Sequence, residues 1–165
     1  MLSSKRHPIY EIYENLSKDL REFFSDSCRI YTEYPKSKEE LASPSIVIEC
    51  TRIDQAIDPS NGEKGLKTYW EIRAFMPAFD EKAKPTDIDT RVLISEIVER
   101  LSSDRFFSNY GYQMIFDGAT DDNLDGRPAN LNIWTADFTC NIWSGRDRYP
   151  SEKLSQEKYE RLFGP

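Results

Sequence analysis

The sequence predicts an α+β domain, a mostly antiparallel sheet with two helices packed on one of its faces, in the order α-β-β-β-α-β-β. Three observations carry that expectation. Two segments repeat apolar residues at the three- and four-residue spacing of a helix, and five others are short β-rich runs, several alternating at a period of two. The last of those runs is apolar on one face and polar on the other, the mark of an antiparallel sheet with one wet side. Over 165 residues, 38% hydrophobic and 13% aromatic side chains supply one core without staples.

Residues 8–25 read as an amphipathic helix. Ile9, Ile12, Tyr13, Leu16, Leu20, Phe23 and Phe24 share one side, while Glu14, Lys18, Asp19 and Arg21 fill the wet one. Pro8 suits the first turn, where its missing N–H costs nothing. Residues 29–34 form a short run with Ile30, Thr32 and Tyr34 alternating, ended by Pro35, and residues 36–44 read as a polar connection. Residues 45–53 are a strand, with Ile46, Ile48 and Cys50 on one face and Val47 and Glu49 on the other. A long turn over 54–65 contains Pro59 and the Asn61-Gly62 pair, which supplies the positive φ of hairpin turns. The return strand, 66–75, sets Leu66, Thr68, Trp70, Ile72 and Ala74 against Lys67, Tyr69, Glu71, Arg73 and Phe75. Tyr69 and Phe75 are thereby expected to face away from the helices.

Thr86-Asp87-Ile88-Asp89 has the pattern of a capping box. Ile88, Val92, Leu93, Ile94, Ile97, Val98 and Leu101 follow as a broad stripe of the kind that packs on a sheet, and Ser102-Ser103-Asp104 ends the helix. Residues 112–116 read as a strand and 117–128 as a polar turn. Residues 130–143 form a long strand with Trp134, Ala136, Phe138, Cys140 and Ile142 inward and Ile133, Thr135, Asp137, Thr139 and Asn141 outward. Residues 146–165 change character, with five basic and four acidic side chains and a sparse stripe of Leu154, Tyr159, Leu162 and Phe163 after a capping Ser151. Such a stripe makes no core of its own, so the segment is either a frayed tail or an arm that packs on something else. The expected organisation is one α+β domain over residues 1–145 and a C-terminal arm over 146–165.

Charge and motif content exclude several classes of function. Twenty-two basic against twenty-nine acidic residues give a net charge of −7, opposite to the field a general nucleic-acid binder needs. No run approaches a membrane span, and no secretory leader is evident, so a soluble cytosolic domain is expected. Cys28, Cys50 and Cys140 are far apart and read as small buried hydrophobes. His7, the only histidine, sits at a helix start and lacks the rigid setting of a catalytic base. Asp121, Asn123, Asp125 and Gly126 match half of a calcium loop, but Asn132 stands where the bidentate Glu belongs. Asp87, Asp89, Glu96 and Glu99 look like the wet side of the second helix, and no glycine-rich phosphate loop occurs. No enzyme, metal or cofactor is therefore expected.

The layout resembles the tail terminator (tail-completion) proteins of tailed bacteriophages and related contractile particles. It is carried by the leading helix from Pro8, three strands with a long hairpin between Ile53 and Leu66, a capped helix from Thr86 and a final hairpin ending in the strand from Asn130 to Trp143. The resemblance implies a non-catalytic virion component of tail and neck. It would assemble in the host cytoplasm as a homohexameric ring on the head-proximal end of the tail tube. Its neighbours would be the tube, sheath proteins and a neck or head-completion protein, with DNA passing through the lumen without sequence-specific binding and with no membrane contact. Loops and termini are the expected contact regions. In the hairpin these are Asp58, Asn61, Glu63 and Lys64. In the following turn they are Asp121, Asp122 and Arg127, and in the arm Arg146, Arg148, Tyr149, Leu154, Tyr159, Leu162 and Phe163. A competing expectation is a small acidic immunity or adaptor protein that blocks a basic partner through charge complementarity.

Overall fold

The computed structural model describes residues 7–36, 43–58, 60, 62–122 and 130–143. Pro8 takes the first turn and His7 Nδ1 accepts the Ile9 N–H at 3.2 Å, so the first helix, α1 (Pro8–Phe24), starts where its sequence dictates. A 3₁₀ turn at Ser25–Ser27 leads into β1 (Arg29–Tyr31), followed by β2 (Ser45–Ile57) and β3 (Lys64–Pro77). Two helices, α2 (Asp87–Leu101) and α3 (Asp104–Tyr110), precede β4 (Ile115–Asp121) and β5 (Leu131–Trp143). The five strands form one sheet in the order β1-β2-β3-β5-β4. β1 runs parallel to β2 and every other neighbour is antiparallel. The α+β class and its mostly antiparallel sheet are as the sequence predicts.

The helix α3 is an addition to the expected order. Ser103, read from sequence as part of a stop, ends α2 and also starts α3, because its side chain accepts the Phe106 N–H at 3.2 Å. Gly111 closes α3 at φ 77, a left-handed geometry suited to glycine. Tyr112 is consequently not the start of a strand. It packs against Phe106 and Tyr110 at ring separations of 5.7 and 6.4 Å, and β4 begins only at Ile115.

The core lies on one face of the sheet. Ile12, Leu16 and Leu20 of α1 and Leu93, Ile94, Ile97 and Leu101 of α2 meet Ile46, Ile48, Trp70, Ile72, Ala136, Phe138 and Cys140. α1 packs on β1 and β2, and α2 on β3 and β5. The helices are tied to each other by Arg100, which donates to both oxygens of the buried Asp19 carboxylate at 2.9 and 3.1 Å. The indole N–H of buried Trp70 donates to Thr68 Oγ1 at 2.8 Å, and that hydroxyl donates to the Cys140 carbonyl at 2.7 Å.

Two expectations are corrected and a third gains a detail. Ile88 and Val92 do not join the buried stripe of α2 but stand 71% and 49% exposed, because the helix meets the sheet through Leu93, Ile94, Ile97 and Leu101. Thr86 forms no capping bond. Its hydroxyl donates instead to the Pro77 carbonyl and accepts Asn132 Nδ2 at 2.9 Å, which locks the start of α2 to the end of β3. Phe75 faces away from the helices as expected but is only 5% exposed, since it forms a second small cluster with Val47, Leu131, Tyr31 and Ile133.

Candidate assembly surface

The β2–β3 hairpin is longer than its sequence suggests. Pairing continues to Ile57 opposite Lys64, so the expected turn over 54–65 shrinks to residues 58–63. Asp58 organises that turn. Its Oδ1 accepts the Ser60 N–H at 2.8 Å and the Ser60 hydroxyl at 2.6 Å, and its backbone pairs with Glu63 and Gly62 at 2.8 Å each. Gly62 takes φ 70 there. A register shift between Cys50 and Arg52 inserts one extra residue into β2. That bulge reverses which face the later residues occupy. Ile53, paired with Thr68, and Ile57, paired with Lys64, therefore come to the helix-bearing face, where they are 50% and 58% exposed.

β1 pairs only with Ser45–Val47, so no described strand covers the remaining edge of β2. The Cys50 N–H on that edge donates to the Tyr13 hydroxyl at 2.8 Å. At the other end of the sheet β4 is the edge strand, with Ile115 and Phe116 exposed. Between β4 and α2 runs a groove of about 460 Å³ lined by Ile94, Val98, Phe116, Ala119 and Trp134. Glu99 and Arg91 stand on its rim, with Arg91 lying 5.8 Å from the Trp134 ring centre.

The face away from the helices is charged. Glu49 pairs with Glu71 and Glu71 with Asp137, a row of carboxylates directly opposite one another across three strands. Arg73 answers them, contacting Glu71, Glu49 at 3.4 Å, Asp122 at 3.9 Å and the Tyr34 hydroxyl. Asp122 also accepts the Thr135 hydroxyl. Burial raises the Asp137 carboxyl above its ordinary range, and the Asp122 and Asp117 charges push it the same way against Arg73. Further along, Tyr69 lies between two cations, Arg52 and Lys67, each 5.4 Å from its ring centre.

Burial pushes the Cys28 thiol up to about 11 and the Cys140 thiol to about 12, so both stay protonated and unreactive at neutral pH. Among the described residues no group of three His, Cys, Asp or Glu side chains is placed to hold a metal ion, and no helix is long and apolar enough to cross a membrane.

Of the contact residues expected from sequence, Asp58, Glu63 and Lys64 come together at the hairpin tip, and Asp121 and Asp122 at the end of β4. Asn61, Arg127, Arg146, Arg148, Tyr149, Leu154, Tyr159, Leu162 and Phe163 lie outside the described residues, as do Asn123, Asp125 and Gly126 of the half calcium motif. Sequence reasoning missed Ile53, Ile57, Ile115 and Phe116. The readable signal for the first two was the change of alternation between Cys50 and Ile53, which a bulge produces.

No protein-family model matches the chain, and no curated protein matches it in sequence. A solved chain from the virion of a native gene transfer agent particle superposes with a TM-score of 0.50 at 13% identity, over 80% of this chain and 91% of that one. A chain described as the sheath/tube terminator of an extracellular contractile injection system, PVC, in its extended state gives a TM-score of 0.45 at 13% identity. That alignment covers 81% of this chain, which spans 56% of the terminator's length. The first of these likenesses shows a shared fold.

Proposed function

We propose that the chain is a structural component of a phage-like particle, a tail terminator that forms a ring on the head-proximal end of a tail tube. The observation that carries this reading is the fold shared with the gene transfer agent virion chain, which takes in 91% of that chain rather than a fragment of it. The surface suits the role. A closed ring is built from heterologous contacts, in which one patch of each copy meets a different patch of the next. Ile53 and Ile57 on β2, whose edge beyond Val47 no described strand covers, and Phe116 on the edge strand β4 place unlike exposed apolar side chains at opposite sides of one sheet.

The ring is proposed to assemble in the host cytoplasm, cap the tube, and dock a neck or head-completion protein, with sheath proteins as neighbours in a contractile particle. It performs no catalysis. The carboxylate row Glu49, Glu71 and Asp137 supplies the wall that DNA passes without adhering, since like charge repels phosphate. A ring whose lumen is lined mainly by Lys and Arg would remove that last step.

Native mass across a concentration series tests the proposal. The expected species lies near six times the 19.3 kDa of one chain and is ring-shaped by electron microscopy. A chain that stays monomeric at every concentration and also fails to bind purified tube ends sinks the reading. The same acidic row favours the second reading, an acidic module that blocks one basic protein, which predicts a monomer or dimer with a single tight partner.

A further inference from the structure

We infer that the edge of β2 pairs with the same edge of a second copy, antiparallel and centred on Gln55, so that two unassembled chains share one continuous sheet. The inference goes beyond the ring reading and does not depend on it. β1 covers β2 only from Ser45 to Val47. The next stretch is guarded, since the Tyr13 hydroxyl occupies the Cys50 N–H and the bulge after Cys50 interrupts the edge. From Ile53 to Ile57 no described strand covers the edge. The run Ile53-Asp54-Gln55-Ala56-Ile57 holds neither the lysine nor the proline that commonly blunts an edge. An edge of that kind is a template for another strand.

Alternation decides which backbone groups are on offer. In an antiparallel pair, successive residues turn their N–H and C=O toward the partner strand and away from it by turns. Asp58 turns toward β3, because its N–H donates to the Glu63 carbonyl at 2.8 Å in continuation of the Ile57–Lys64 register. Ala56 and Asp54 therefore face β3 as well, and Ile57, Gln55 and Ile53 turn their amides and carbonyls to the open side. Cys50, beyond the one-residue bulge, faces that side too, as its bond to Tyr13 shows.

The pattern of these residues selects a second copy as the occupant, because it is symmetric about Gln55. Laid antiparallel, Ile53 meets Ile57 of the second copy, Gln55 meets Gln55 and Ile57 meets Ile53, and each facing pair exchanges both of its hydrogen bonds. Ile53 and Ile57, exposed on the helix-bearing face, cover one another across the join. On the opposite face Arg52 stands across from Asp58 of the second copy, once at each end. Asp54 stands across from Ala56, and its charge is answered within its own chain by Arg52 at 3.1 Å and by Lys67, its partner on β3. The charges also fix the register. A slip of two residues one way sets Asp54 against Asp54, and the other way sets Asp54 against Asp58, and directly opposed like charges destabilise a sheet. Such a contact is isologous and closes at two chains, whereas the contacts of a ring are heterologous. It therefore belongs to protein that has not yet assembled.

The test places a cysteine at the centre of the join in the full-length chain. Gln55 and Gln55 of the second copy stand about 5.5 Å apart at Cα as a hydrogen-bonded pair, within the span a disulfide bridges. With oxidised glutathione, Gln55→Cys is expected to run mainly as a two-chain species on a gel without reductant. Ile53→Cys is the register control, because two copies of that position lie about 14 Å apart along the strands. Neither it nor the natural chain is expected to cross-link. Gln55→Pro removes an edge-facing N–H, which an edge strand tolerates. It is expected to raise the concentration needed for pairing about tenfold with cooperative urea unfolding unchanged, and if it fails to fold the two cysteine variants decide. A natural chain that stays single at every concentration overturns the proposal, as does a Gln55→Cys chain that does not cross-link or equal cross-linking by Ile53→Cys. Slow hydrogen exchange at Ile53, Gln55 and Ile57 in dilute single chains also overturns it, because a segment of the same chain then covers the edge. A ring that forms without any Gln55→Cys cross-link removes this contact and leaves the ring; a cross-linked pair without any ring-shaped species does the reverse.

Discussion

The Thr68 hydroxyl holds together two strands and the largest buried side chain in the core, accepting from the Trp70 indole while donating to the Cys140 carbonyl. Thr68→Val keeps the shape but leaves the indole N–H with no acceptor in an apolar surrounding. A buried unsatisfied donor costs about 1–3 kcal/mol. The urea midpoint of Thr68→Val is expected to fall by that equivalent, and Thr68→Ser, which restores the oxygen, to recover most of it. Asp19 poses a harsher case. Its carboxylate is almost fully buried and Arg100 supplies both of its hydrogen bonds, with the guanidinium 5.1 Å from the Phe23 ring centre. Removing Arg100 leaves that carboxylate buried and unpaired, so Arg100→Met is expected to cost about 3 kcal/mol in chemical unfolding. Replacing both, as Asp19→Leu with Arg100→Met, exchanges the pair for apolar packing and is expected to restore much of the loss.

At the scale of elements, the row Glu49–Glu71–Asp137 sets like charges opposite one another across β2, β3 and β5, with Arg73 one register position away. Like charges at directly opposed positions are destabilising by about 0.2–1 kcal/mol. The Asp137 carboxyl is raised by burial and by Asp122 and Asp117, so the folded state takes up its proton at a higher pH than the unfolded chain, whose Asp titrates near about 3.9. The sign follows from this. At neutral pH the charged Asp137 weakens the fold, and the penalty is relieved as pH falls through the raised folded value toward the unfolded one. Asp137→Asn is therefore expected to raise the urea midpoint at pH 7 and to lose that advantage near pH 4. An equal gain at both values would show that the effect is not titration. The row was legible in the sequence only as three outward acidic residues, because their alignment depends on register, which no single strand reveals. The same is true of Ile53 and Ile57. Their face is set by the bulge after Cys50, and a two-residue alternation read without it assigns them to the wrong side.

At the scale of the whole molecule, the helical and β periods announced the fold class, because burial on one face imposes them on any chain of this architecture. The exposed Ile88 and Val92 show the limit of that signal, since a stripe broad enough to pack does not say which part of it meets the sheet. The hairpin tip was legible from its polar turn residues, whereas the strand at residues 117–121, read as a turn, and the sheet edges depend on pairing that no single segment reveals. Assembly tests the remaining part, the arm. Deleting residues 146–165 is expected to leave the far-ultraviolet circular dichroism and cooperative unfolding of the domain intact. The described core needs only residues from Ile12 to Ile142, with the strand pairing complete at Gly65 opposite Trp143. If the proposed ring forms, the same deletion is expected to shift native mass from it toward single chains, by at least tenfold in the concentration needed to assemble. If the truncated chain unfolds, the arm belongs to the core and supplies no contact between copies. If it folds and still closes a ring at the original concentration, the contacts lie in the β2 and β4 edges alone, and substitution of Ile53 and Phe116 becomes the decisive step.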